Sequence, residues 1–592
     1  MSSAKALGRF AWRGLLMALV PTVLLAANLA QAATPATTAT DPIEMGRRIY
    51  REGLLPSGEP LRGVGQVGIK LAGKDAACIN CHRRSGYGSS EGPIEVRPIT
   101  GPALFGERVA PPVPGSLSLP QAESTPASPG PERSAAAMAA RANAMALRAA
   151  RIATVAGTRQ RPVYSDESLA RAIREGVDVT GRAMNATMPR FALDETALAS
   201  ISAYLRTLSN ETSPGVTEDA VHFATVIQPG AAPAQRQALV EVLQAFVRDR
   251  NNGLLDEVQR QSNGRVSLGR KYRDWVLHVW QLSGPSDSWA RQLEDFQREQ
   301  PVFALVSGLG HGNWQPVHDF SERFELPCIL PQAAIPVLDA ANFYTVYLSR
   351  GVALEAEALA KHLRDSGERG AVVQVYGQDE ESRAAAAAFR AAYAEGAQAS
   401  KLEDVAVEPD TDTAYWQQLA RQTQGKVVAL WLTPQNLASA QALLAPQAPP
   451  KAIYLSSSLV GEPRSGLAAD GGGLVRLMYP KDPPAQREAR LAVVKRWLTR
   501  HGIAPGDETV QMNAYLAATV TGMLLSHSKD MFSREYMIER MEHRLGTGIE
   551  LSIYPRLSLG PGQRYASKGS YIVGVRGQDG SQLVTLTDWI VP

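Results

Sequence analysis

From Val221 onward, strand-length apolar runs alternate with helix-length amphipathic ones, and that order confines the chain to parallel sheets covered by helices. Residues 221–227 (Val-His-Phe-Ala-Thr-Val-Ile) read as a strand, and 233–251 as the helix that follows. Strand signals recur at 275–282 and 302–306 and in the run around Cys328, with helices at 286–299 and 314–324 between them. Parallel strands need such crossovers, and the crossovers put helices on the sheet faces. A second set starts at 371–376 and includes strands at 427–432 and 452–456, before long helices at 484–501, 508–527 and 533–544. Two sets with late returns between them predict a two-lobed α/β region over 218–592, with a hinged cleft.

Residues 41–212 lack this alternation, and 592 residues are too many for one core. Their signal is Cys78-Ile79-Asn80-Cys81-His82. This C-x-x-C-H spacing reads as covalent haem attachment: two thiols for the vinyl groups and an imidazole facing the iron. A redox C-x-x-C pair and half of a zinc site share part of the pattern. The chain has three cysteines in all, so no disulfide framework exists, and Cys328 sits in a strand-like run as a buried, inert thiol. Residues 1–32 read as a signal peptide: Lys5, Arg9 and Arg13, an apolar run from 14 to 30, then Ala30-Gln31-Ala32. A retained membrane anchor is the alternative, and Pro21 and the cleavage site speak against it. The expected location is the periplasm, with no transmembrane segment in the mature chain. A net charge of +3 gives no reason to expect nucleic acid as partner.

Gly46 and Tyr50 fall on one face of a helix beginning at Asp41-Pro42, and the small residue there admits a second helix at close range. The partner is the helix at 193–208, whose apolar face carries Leu198, Ile201, Leu205 and Leu208, with Tyr204-Leu205-Arg206 at the crossing. Together with the Cys78–His82 motif, this resembles class I c-type cytochromes. The resemblance implies an all-α cytochrome domain over 41–212 holding one covalently bound haem c, with Cys78 and Cys81 as thioether sites and His82 as axial ligand. Between residues 33 and 215 His82 is the only histidine, so methionine is the natural second axial ligand, from Met45, Met138, Met145, Met184 and Met188. The resemblance points to Met188, in Met188-Pro189, with Met184 as the alternative. An iron with both axial positions filled implies one-electron transfer with periplasmic redox partner proteins. Two features depart from the family: a long spacer before Cys78, and an Ala/Pro-rich insert at about 109–161.

The run from Phe303 through Gln315-Pro316 to Pro331–Pro336 resembles type I periplasmic binding proteins of the branched-chain amino acid class. That family holds a ligand's carboxylate and amine on two loops, which match His311, Gly312, Asn313 and Trp314, then Gln332, Ala333 and Ala334. Tyr347, Arg350 and Tyr376 are further cleft candidates. The implied ligand is a small molecule, amino-acid-like or an organic acid, with Trp314 placed to stack on a planar one. No nucleophile elbow, histidine cluster or phosphate loop marks an enzyme. The expected function is a periplasmic haem protein transferring electrons, fused to a ligand-binding domain that gates or targets it. The alternatives are a solute receptor of an ABC-type transporter or sensor with an accessory haem, and a haem-linked dehydrogenase.

Overall fold

Asp41 caps the first helix, Pro42–Glu52, by accepting from the Ile43 amide, and Gly53 ends it in the left-handed region. Gly46 lies where this helix crosses Glu195–Thr207: an added Cβ would come 2.1 Å from the Ser200 carbonyl oxygen and 2.6 Å from the Tyr204 Cβ. Tyr50 packs on Tyr204 with ring centroids 5.3 Å apart. The expected crossing is therefore present at the expected residues. The computed structural model describes residues 41–91, 94–106, 162–262, 273–339, 342–368, 370–395, 402–444, 449–461, 474–526, 532–546, 552–560, 562–576 and 582–592. The signal peptide at 1–32 and the insert at 109–161, with Met138 and Met145, lie outside the described residues.

The N-terminal unit is not all-α. The spacer before Cys78 folds into a hairpin, β1 (Arg62–Val64) and β2 (Lys70–Ala72), because glycines at 63, 65 and 68 suit a turn rather than a helix. After the Cys78–His82 turn, β3 (Ser89–Glu91) pairs antiparallel with β4 (Ile94–Val96). A short helix, Gly101–Phe105, is capped by Thr100. The helix Asp166–Glu175 precedes β5 (Arg190–Phe191), which joins β1 to close the order β2-β1-β5.

The remaining chain builds two seven-stranded sheets. The first holds β6 (Ala220–Ile227), β7 (Asp274–Gln281), β8 (Ala304–Val306), β9 (Leu309–Asn313), β10 (Cys328–Ile329), β11 (Gln332–Ile335) and β12 (Thr345–Val346). Its order is β11-β9-β6-β8-β10-β12, with β7 also paired to β6, and every pairing is parallel. The second holds β13 (Val372–Tyr376), β14 (Leu402–Ala406), β15 (Val427–Trp431), β16 (Ala452–Ser456) and β17 (Val475–Tyr479), all parallel. The late strands β18 (Tyr571–Arg576) and β19 (Gln582–Thr585) add antiparallel to its far edge. Each sheet has an apolar core on both faces, as a helix-covered parallel sheet requires.

The chain passes between the lobes at about 347–351, 480–483 and 566–570, because helices Pro484–Arg500, Glu508–Leu525 and Arg534–Gly546 return to the first core. Tyr347 bridges Tyr565 at the first and third crossings, and buried Arg487 ties the second, donating to Tyr479 Oη, the Asp482 carbonyl and Glu508. Among the described residues no helix is long and apolar enough to cross a membrane.

Candidate functional site

Two sets of candidate residues occupy different parts of the molecule. In the N-terminal unit, Ile79–His82 form a single helical turn with Cys78 at its N-cap, and neither Cys78 nor Cys81 is in a disulfide. His82 Nδ1 lies 3.2 Å from the Arg97 carbonyl oxygen. That acceptor fixes the Nδ1–H tautomer and leaves Nε2 with the lone pair a metal needs. Burial pulls His82 down to about 4, so the ring is neutral at ordinary pH. Burial pushes the Cys78 thiol up to about 12. A redox C-x-x-C pair works through a thiolate of lowered pKa, and this thiol has the opposite bias. Among the described residues no three His, Cys, Asp or Glu side chains converge as a metal site, which leaves the zinc alternative without a ligand set.

The loop carrying Met184 and Met188 is set by Arg190. Its guanidinium donates to the carbonyls of Met188 and Met184 and lies against Gly176, where an added Cβ would fall 1.8 Å from the guanidinium carbon. Asn185 Oδ1 accepts from the Thr187 amide at 3.0 Å, so it shapes the turn. Met184 packs on the fringe of the unit's core; Met188 is half-buried and belongs to no such cluster. The β1–β5 pairing, Gly63 with Phe191 and Val64 with Arg190, ties this loop to the hairpin that leads into Cys78. The same fringe leaves Leu71, Ile79, Ile99, Phe105 and Val179 half-open, while Val64 is 49% and Ile69 59% exposed. Two cysteines and a neutral imidazole on one helical turn, at the half-open apolar fringe of the unit's core, fit a flat hydrophobic macrocycle, so these residues suit haem.

In the two-lobed region the carboxyl ends of both sheets meet. Ser307 and Leu330, which follow β8 and β10, have φ of 55° and 53°. Non-glycine residues in the left-handed region store about 1–2 kcal/mol each, and such strain clusters at functional sites. The expected ligand loops are the strands β9 and β11, paired in parallel, with Gln332 against Leu309 and Ala333 against Gly310; Ala334 lies in the same ladder, at its bulge. Gly312 N donates to Glu381 at 2.8 Å and Asn313 N to Glu380 at 3.2 Å, while His311 Nδ1 stands 3.7 Å from Glu381. Both acids open the helix Glu380–Ala394 of the second lobe. The amides expected to hold a ligand's carboxylate thus hold two of this chain's own.

The structure corrects two stacking and lining roles. Trp314 is fully buried, its indole packed beneath Gly308 and Gly310, because the glycines leave room only for a ring below the strand. Tyr347 is buried as well, its hydroxyl 2.9 Å from His318 Nδ1. Neither lines a cleft. Arg350 pairs with Glu357 at 2.7 Å and lies over the Tyr565 ring, which makes it a hinge residue. Tyr376 ends β13, half-buried. Gln332 remains in position: it donates to Ser307 Oγ at 3.4 Å and accepts from Asn513 at 3.2 Å. Asn513 also donates to Tyr554 Oη, and its Oδ1 is buried without a hydrogen-bond partner. Sequence reading missed Glu380, Glu381, Asn513 and Tyr554. The acids look like ordinary first-turn charges, and the one signal for Asn513 was a polar residue inside an apolar helix.

No protein-family model and no curated protein matches the chain. It is similar to solved structures of substrate-binding proteins. A fatty acid ABC transporter substrate-binding protein from Thermomonospora curvata is 15% identical, with TM-score 0.45, over 64% of this chain and 95% of that one. A leucine-binding protein from Thermotoga maritima is 14% identical, with TM-score 0.44, over 63% and 99%. An R. palustris solute-binding protein, solved with benzoate, is 11% identical, with TM-score 0.45, over 63% and 97%.

Proposed function

We propose that this chain is a periplasmic small-molecule receptor whose lobes close on a ligand, and that its N-terminal unit carries one covalent haem c. One arrangement carries the receptor reading: the carboxyl ends of the parallel strands in both sheets face a common seam, bridged by Glu380 and Glu381 to the amides of Gly312 and Asn313. Open α/β sheets bind ligands outside those strand ends. Three chain crossings supply the hinge. A carboxylate-bearing ligand, amino-acid-like or an organic acid, would take the amides that the two glutamates now occupy. Gln332 and Asn513 offer further polar contacts. A receptor of this kind serves an ABC-type transporter or a sensor.

The haem reading is supported by the Cys78–His82 turn with its neutral, carbonyl-anchored imidazole. Cys78 and Cys81 would hold the macrocycle, and His82 and Met188 the iron. When bound, haem supplies a reversible one-electron couple. This chain's residues do the rest: Arg97 orients His82, Arg190 fixes the Met188 loop, and periplasmic redox proteins exchange electrons with the unit.

Mass spectrometry of the protein purified from a periplasm competent for haem attachment tests both halves. The expected mass is the mature chain plus one haem, with a small molecule released on denaturation. A haem-free mass would sink the haem half alone. A ligand-free protein that also failed to bind a panel of amino acids and aromatic acids would sink the receptor half alone. Met188→Ala is expected to abolish the long-wavelength sulfur-to-iron band of the oxidised protein, and Met184→Ala to keep it.

A further inference from the structure

We propose that Glu539, on the first lobe, is a positioning residue for the haem: it holds the loop that follows His82 and moves the haem potential by gaining or losing a proton. The proposal rests on the haem reading above. Ser85, three residues beyond His82, is fully buried, and both its donors point at this carboxylate. The amide lies 2.8 Å from one Glu539 oxygen and the hydroxyl 2.5 Å from the other. Ser209 Oγ closes the loop from within, donating to the Ser85 carbonyl. On either side of Ser85 the same loop is seated on the first lobe: Arg84 lies 4.5 Å above the Phe343 ring, and Tyr87 packs on Tyr536 at 4.6 Å.

Tyr50 donates to the Arg83 carbonyl at 2.7 Å and stands near enough to both Cys78 and Glu539 for each to raise its pKa, after burial as the main cause. Among the described residues no ion pair neutralises Glu539. Its own helix presents Glu535 and Glu542, the first helix presents Tyr50, and the loop presents Ser85. Burial pushes the Glu539 carboxyl up to about 7, the two acids push the same way, and the Ser85 donors pull back.

With haem bound, oxidation would leave one more positive charge at the site, and that charge would favour ionised Glu539. The balanced step takes reduced protein with protonated Glu539 to oxidised protein with ionised Glu539, one electron passing to a redox partner and one proton to water. The potential therefore falls as pH rises between the pKa values of the oxidised and reduced states, and is flat outside that window. The slope cannot exceed about 59 mV per pH unit, the one-electron value of a tenfold change.

The test is a spectroscopic redox titration of the full-length, haem-loaded protein from pH 5 to 9. Wild type is expected to show a declining segment around pH 7. Glu539→Gln keeps an acceptor for Ser85 and is expected to lose the decline. Glu539→Asp is expected to restore it with a shifted midpoint. Hydrogen exchange of residues 83–87 reports whether the loop stays seated in each variant. A flat wild-type profile overturns the proposal, as does a decline that persists unchanged in Glu539→Gln. A protein without covalent haem fails earlier, at the mass measurement, and removes the haem reading together with this one.

Discussion

The molecule has two junctions, built on different physics. The N-terminal unit meets the first lobe mainly through buried and half-buried groups, Ser85 on Glu539, Tyr87 on Tyr536 and Arg84 over Phe343, with Arg51 paired to an exposed Glu325. The two lobes meet at the strand ends through Glu380, which is exposed, and Glu381, which is half-buried. Desolvated, shape-fitted contacts fix geometry, whereas carboxylates near water exchange partners at little cost. That difference predicts that the N-terminal unit and first lobe move as one body while the second lobe swings.

The sharpest way to break that comparison is to unfold the N-terminal unit alone. Gly46→Leu forces a side chain into the Ser200 carbonyl and Tyr204. Overpacking of this kind costs about 3 kcal/mol, and here the obstacle is backbone that cannot step aside. Hydrogen exchange should accelerate across residues 42–52 and 195–207, while protection of the two sheets stays near wild type. If the first sheet lost protection too, the unit and the lobe would be cooperative in folding as well as in contact.

That crossing was legible because helix periodicity carries it: Gly46 and Tyr50 are four residues apart, and Tyr204 sits on the matching face. The turn at Cys78–His82 was legible as a motif because five consecutive residues contain it. Strand and helix order gave both α/β lobes for the same reason, since each element announces itself locally. The seam between the lobes was not legible. It joins residues 311–313 to 380–381, just as 332 meets 513 within the first lobe, and no local pattern reports which distant segments meet. Trp314 shows the same limit from the other side. Its place at a strand-to-helix loop suggested exposure, but glycines at 308 and 310 open a slot beneath the strand, and the indole fills it.

A further effect turns on pH. Glu539 and Glu355 are both pushed up to about 7 by burial; Glu355 sits inside the second lobe, accepting from Ser457 and Ser458. A carboxyl whose folded-state pKa exceeds its unfolded value binds more protons when folded, so its contribution is present at low pH and lost as pH rises to about 7. Stability should fall by up to about 1.4 kcal/mol per pH unit per group between about pH 5 and 7. Calorimetric melts should show the decline halved in either Glu539→Gln or Glu355→Gln. A melting temperature that rose over this range would contradict the burial of both groups.

The smallest energetic effect belongs to the interlobe seam, and it carries the most information about closure. Replacing Glu380 and Glu381 together by Gln removes two charges but leaves side chains of the same length. Partly exposed charge contacts contribute about 0–1 kcal/mol, so the melting temperature should barely move. The amides of Gly312 and Asn313 lose charge-assisted acceptors, which are roughly twice as strong as neutral ones. Without them the hinge at 347–351, 480–483 and 566–570 should relax toward an open form. Small-angle scattering should report a larger radius of gyration in the double variant than in wild type. The junction with the N-terminal unit shares none of these contacts, so hydrogen exchange at 83–87 should not change. An unchanged radius would place the restraint on the lobes in the buried Arg487 network rather than in the carboxylates, and the second lobe would then be as fixed as the first.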